Sequence, residues 1–141
     1  MSKLDMKDIS DAMKHVDICM MTTNNGTLES RPMSNNRDVD YDGDSYFFAN
    51  GSEEVVRDIE NKPDVNLAYI HQPTLGKPIY ISVKGKAEAV TDRGEMKKHW
   101  VPDLEAWFKD GIDTPGLTMI HVKAASVKYW SGGDTGEIAV S

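Results

Sequence analysis

Cysteine is almost missing from this sequence. Cys19 stands alone among 141 residues, so no internal disulfide can form and a reducing compartment suits the chain. Long apolar runs are missing too; none approaches the roughly 20 residues a membrane span needs. The opening stretch, Met1-Ser2-Lys3-Leu4-Asp5-Met6-Lys7-Asp8, mixes charges and lacks the apolar middle of a secretory signal, so a cytoplasmic protein is expected. Positive charge is scarce: 16 Lys and Arg against 23 Asp and Glu leave a net charge of −7. All of that excess lies between Asp38 and Asp64, where nine acids face only Arg57 and Lys62. A chain without a basic face cannot neutralise a row of phosphates, which argues against nucleic acid and anionic membrane as partners. The histidines, His15, His71, His99 and His121, share no ligand spacing, and one cysteine cannot build a soft site, so no metal is expected. There is no Gly-x-Ser-x-Gly elbow and no Walker-type loop. Cys19, beside Met20 and Met21, reads as a small hydrophobe of a strand rather than a nucleophile.

What is present describes one soluble domain: 39% apolar and 28% charged residues over a length that can bury a real core. Met6, Ile9, Met13 and Val16 step by three and four, which predicts a helix over 3–16 with one apolar face. Short strands follow at 18–23 and 27–37, joined by Asn24-Asn25-Gly26, a hairpin turn; Pro32 assigns the second to a sheet edge or a bulge. An aromatic strand at 45–49 passes through Asn50-Gly51-Ser52, with Ser52 as expected N-cap, into a helix over 53–61. Further strands are expected at 65–71, at 79–89 with clean alternation, and at 117–130 with a bend near Ala124-Ala125. Residues 91–109 read as two helical pieces split by Pro102, 111–116 as a loop, and 132–141 as a flexible tail. Hairpin-linked strands with a few helices indicate an α+β domain built on an antiparallel barrel.

The strand-to-helix turn at 49–53 can attract an anion, because free N–H groups and the helix dipole meet there. Arg31 could bring a bidentate guanidinium to the same place.

The order of three segments carries a family resemblance. Ser30-Arg31-Pro32-Met33, then Tyr46-Phe47-Phe48-Ala49-Asn50-x-Ser52, then Ile59-x-x-x-Pro63-x-Val65-x-Leu67 resemble the pyridoxamine 5'-phosphate oxidase-like flavin-binding split barrels. Trp100-Val101-Pro102, Trp107-Phe108, Gly111, Asp113, Pro115 and Tyr129-Trp130 are similar to the bacterial general stress protein branch. The resemblance implies a six-stranded antiparallel split β-barrel over 1–131, pairing into a homodimer with FMN at the subunit interface. By carry-over, Arg31 would meet the FMN phosphate and Met33 would lie beneath the flavin. Phe48, Ala49, Asn50 and Ser52 would complete the cofactor-binding set, the last three at the ribityl-phosphate end. Trp107 and Trp130 would close over the ring. The catalytic residues and the small-molecule redox partner stay unassigned.

The sequence departs from the family in two places. Members that bind FMN carry a lysine four residues before the aliphatic residue of the helix; counting back from Ile59 gives Val55, and Glu53 and Glu54 precede it. The end of the chain also does not resemble the arginine-containing segment of the vitamin-converting oxidases, so oxidation of pyridoxamine phosphate is not expected. The implied function is an FMN-dependent redox protein of the general stress type. The alternative is a non-catalytic dimeric ligand-binding protein that holds flavin weakly or not at all.

Overall fold

The computed structural model describes residues 3–37 and 39–140. Asp38, which opens the acidic stretch, and the terminal Met1, Ser2 and Ser141 lie outside them. Helix α1 (Met6–Met13) starts at a reciprocal cap, in which the Asp5 and Asp8 side chains each accept the other's backbone N–H at 2.9 Å. Its Ile9 and Met13, with Val16 just beyond, are buried. Strands β1 (Ile18–Asn24) and β2 (Leu28–Ser34) form the expected hairpin, and Gly26 takes the positive φ (81°) that the turn demands. After β2 the Asn35 amide donates to the carbonyls of Met13 and Val16, at 3.0 and 2.9 Å, and so ties the strand exit to α1.

Next come β3 (Asp44–Asn50), helix α2 (Glu54–Asn61), β4 (Asp64–His71) and β5 (Ile79–Val90). Along β5 Ile81, Val83, Gly85 and Ala87 are buried, while Tyr80, Lys84, Lys86 and Glu88 face out. Helix α3 (Arg93–His99) and two short 3-10 turns, Pro102–Ala106 and Gly111–Asp113, lead to the long β6 (Leu117–Ser131). The bend expected near Ala124-Ala125 is a bulge: Lys84 pairs with Ser126 and Gly85 with Ala124, leaving Ala125 over. A Cβ on Gly85 would come within 2.4 Å of the Lys123 carbonyl, so only glycine fits there.

Two expectations need correction. The sheet has seven strands, not six, because residues 134–139 form β7 (Asp134–Ala139) against the end of β6 rather than continuing as a free tail. Gly132 and Gly133, which suggested mobility, make the tight turn of a hairpin with φ of 57° and 93°. Gly136 then lies opposite Tyr129, where a Cβ would sit 2.2 Å from the phenol oxygen. Ser52 also does not cap α2: Glu53 takes that position, and its carboxylate reaches back to the Asn50 N–H at 2.7 Å instead.

The strands are antiparallel throughout and run in the order β2-β1-β4-β5-β6-β3, with β7 beside β6. The sheet is curled but not closed, and the edge strands β2 and β3 line the same cavities, with β7 a third edge beside β6. Two apolar cores result. The larger fills the inside of the curl and includes Ile9, Met21, Leu67, Val83, Ile120 and Tyr129. The smaller lies outside β3 and β6, where Phe48, Leu117 and Met119 meet Met96 and Leu104 of the 93–113 segment. Leu117–Ile120 are therefore buried on both faces, the polar Thr118 included.

Candidate functional site at the open seam

On β2 the side chains of Glu29, Arg31 and Met33 share one face by strand alternation. Their partners on β1 are Thr23, Met21 and Cys19, all buried. Facing them across the seam are Phe48 and Ala49 of β3 and the first turn of α2, while Trp107 and Phe108 close the side. The cleft so formed has a volume of about 560 Å³. It adjoins a second cavity of about 370 Å³, with Ser34, Phe48, Leu104 and Trp107 in the walls of both.

Of the residues expected at a cofactor, Arg31, Met33, Phe48, Ala49 and Trp107 line this cleft. Asn50 and Ser52 do not; they close their own turn, with Ser52 donating to Asn50 Oδ1 from its N–H (3.0 Å) and its hydroxyl (2.8 Å). Trp130 is elsewhere, on the outer face of β6, paired with Tyr80 and 5.3 Å beneath the Lys128 ammonium. Strand parity accounts for this: Tyr129 points into the core, so Trp130 points away from it.

The polar end of the cleft is built around Arg31. Its guanidinium donates to Thr23 Oγ1 at 2.9 Å and to Asp58 Oδ2 at 3.1 Å, with Glu29 at 3.4 Å. Asp58, only 2% exposed, also accepts from the Thr23 hydroxyl and the Asn25 amide, each at 2.9 Å. This is a satisfied buried network, the kind in which removing one member strands the others. Glu54 adds a further acid, with carboxylate oxygens of Glu29, Glu54 and Asp58 all within 4.8 Å of one another. A hydrogen bond shared with Glu29, and then the charges of Glu29 and Asp58, raise the Glu54 carboxyl above the ordinary range. Asp58, Glu29 and Thr23 were not singled out in the sequence. The available signal was an aspartate on the same helical face as Val55 and Ile59, a core position at which an acid needs a partner.

The FMN expectation can be tested in two halves. The ring half fits, because Met33, Phe48, Ala49, Val55, Trp107 and Phe108 offer an apolar and aromatic slot. The phosphate half does not fit. Helix α2 begins without a side-chain cap, a pull on an anion worth about 0.3–1 kcal/mol. Against it stand Glu53 and Glu54 in the lining and an arginine with three of its five N–H donors already directed at Thr23, Asp58 and Glu29.

The second cavity contains a stack missed in the sequence. Tyr46 and His99, both in its wall, stack with ring centroids 3.5 Å apart; Tyr46 also stacks with His121 (4.6 Å), whose Nε2 is 2.9 Å from Asp44 Oδ1. Burial first, then the neighbouring His121, hold the His99 imidazole below its usual pKa. On the outer face of the sheet, apolar residues stand exposed: Ile18 and Met20 of β1, Ile70 of β4, Tyr80 of β5 and Trp130 of β6. Ile70 pairs with Tyr80 and Tyr80 with Trp130, so they form a row across the strands. Ile18 also lines the cleft, which joins that row to the site. No helix among the described residues is long and apolar enough to cross a membrane.

Comparison with known proteins bears on the fold and the family. Protein bli-3 of Neurospora crassa is 31% identical over 139 residues, covering 89% of this chain. The chain spans 65% of that relative's length. Among solved structures, a protein related to general stress protein 26 from Clostridium acetobutylicum superposes with a TM-score of 0.81 at 18% identity, covering 97% of each chain. General Stress Protein 26 from Bacillus anthracis gives 0.76 at 20% identity, covering 96% of this chain and 98% of its own. At these identities the two structures speak to the fold. The family model described as pyridoxamine 5'-phosphate oxidase like matches residues 5–140, and the chain belongs to that family.

Proposed function

We propose that this protein is a flavin-binding split-barrel protein of the general stress type, holding the flavin ring in the seam between β2 and β3. The observation that supports this most is the cleft itself: its apolar lining draws on the edge strands β2 and β3 and on the 93–113 segment. Met33 would form one wall for the ring and Phe48 and Ala49 the facing one, with Trp107 and Phe108 closing the side. A flavin held there would exchange electrons with a small molecule, and the protein's part would be to seat the ring and exclude water from one side.

The same reading includes a homodimer with the cleft at the subunit interface. Its support is the exposed row of Ile18, Ile70, Tyr80 and Trp130, an apolar face of the kind that marks an interaction surface. Ile18, at the end of that row and in the cleft wall, would let a second copy cover the site.

The test is a titration of the purified chain with riboflavin, followed by tryptophan fluorescence, with sedimentation run in parallel. Saturable quenching at one flavin per subunit in a dimeric species is expected. Absence of quenching at high micromolar flavin would contradict the ring site, and a monomer would contradict the interface. The second reading, a dimeric ligand-binding protein with little affinity for FMN and no turnover, is favoured by one observation: the engagement of Arg31 by Asp58 and Glu29.

A further inference from the structure

We infer that the cleft selects flavin-class ligands with an uncharged side chain, as in riboflavin, over their 5'-phosphates, because protein carboxylates already occupy the anion-binding end. The inference rests on the flavin reading and names the ligand class at that same site.

Among the described residues, Arg31 is the only lysine or arginine in the lining of the 560 Å³ cleft. Its partners are Asp58, Glu29 and Thr23, so a phosphate arriving there would compete with carboxylates already in place. Winning that competition would separate Arg31 from a carboxylate that is 2% exposed, leaving a buried charge without its partner. Glu53 and Glu54 line the cleft, and Val55, in the same lining, stands where the family resemblance leads one to expect a lysine. The remaining bases nearby do not compensate. Arg57 and Lys84 are exposed and outside the lining, Lys86 pairs with Asp64 at 3.2 Å, and Arg37, in the wall of the adjoining cavity rather than of the cleft, faces Asp17 at 3.8 Å. A phosphate dianion therefore meets one engaged cation and several acids, whereas a ribityl chain ending in a hydroxyl meets only hydrogen-bonding groups.

The experiment titrates the full chain with riboflavin and with FMN in parallel near neutral pH, with a chelator present to remove divalent ions. It is repeated on the Glu54→Lys variant and at high salt. Riboflavin is expected to bind the unaltered protein at least about tenfold more tightly than FMN, with the gap narrowing near 0.5 M salt as repulsion is screened. Glu54→Lys is expected to tighten FMN by about tenfold while riboflavin changes less than about twofold. Equal or tighter binding of FMN by the unaltered protein would overturn the selectivity. A gap that Glu54→Lys leaves unchanged would overturn its assignment to these carboxylates. If neither flavin binds, the flavin reading itself fails and takes the selectivity with it.

Discussion

The two ends of the cleft are built on opposite principles. At one end Met33, Phe48, Trp107 and Phe108 present apolar and aromatic surface whose fit depends on shape. At the other, Arg31, Asp58, Thr23 and Asn25 form a closed polar network with Glu29 and Glu54 at its margin. The first end has capacity left for a ligand, and the second already directs most of the donors of Arg31 at groups of the protein itself. A positively charged residue in a family motif is thus not by itself a phosphate site; the question is what else holds it.

Breaking the polar end should have the largest effect. Asp58→Ala removes the buried carboxylate and leaves Arg31, with 19% of its side chain exposed, without its main partner. The expected loss is about 3 kcal/mol in urea unfolding, the low end for breaking a buried pair because Arg31 keeps some solvent. A loss under about 1 kcal/mol would mean the network is not holding α2 to the sheet.

At the apolar end Phe48→Ala should cost nearly as much, about 3 kcal/mol. Phe48 packs edge-on to Trp100 at 5.1 Å and anchors the smaller core under the 93–113 segment. Trp107→Ala sharpens the contrast within that end. Trp107 is 67% exposed, so stability should move by less than about 0.5 kcal/mol, while riboflavin affinity falls. Equal flavin affinity in this variant would remove Trp107 from the site.

The smaller effects depend on pH. Glu54 is held above the ordinary carboxylate range, chiefly because its neutral carboxyl donates a hydrogen bond to Glu29 and then by the charges of Glu29 and Asp58. A raised acid is neutral below its folded pKa, so its repulsion of a phosphate is present at neutral pH and fades as pH falls. The difference between FMN and riboflavin should therefore shrink on acidification, and Glu54→Gln should flatten that dependence; a gap that widens would reverse the sign. Burial pushes the Cys19 thiol up to about 12. Its contribution to stability is complete below the unfolded thiol's pKa and is lost as pH rises toward 12. Iodoacetamide should leave Cys19 untouched in the folded protein and label it only in denaturant.

Much of this fold was legible because local patterns agreed with tertiary structure. The alternation of 79–89, the face of Ile9 and Met13, and the Asn24-Asn25-Gly26 turn each specify a local conformation that packing then keeps. Strand β7 was not legible. Asp134-Thr135-Gly136-Glu137-Ile138-Ala139 has little apolar signal, and its pairing is supplied by the long end of β6. At the site, motif order pointed to Arg31, Met33, Phe48 and Ala49, which the fold does bring together. Asn50 and Ser52 satisfy each other instead of facing the cleft, a choice of turn geometry that residue types alone do not reveal. The grip of Asp58 on Arg31 joins residues 27 positions apart and becomes visible only when α2 is docked.

The most direct test of the account is hydrogen–deuterium exchange of the full chain with and without saturating riboflavin. Binding at the seam should slow exchange in residues 30–34, 46–50 and 104–108 together, because these segments face one another across the cleft. Protection confined to other segments, or no change at saturation, would contradict the claim that the open edge of the sheet is the ligand site.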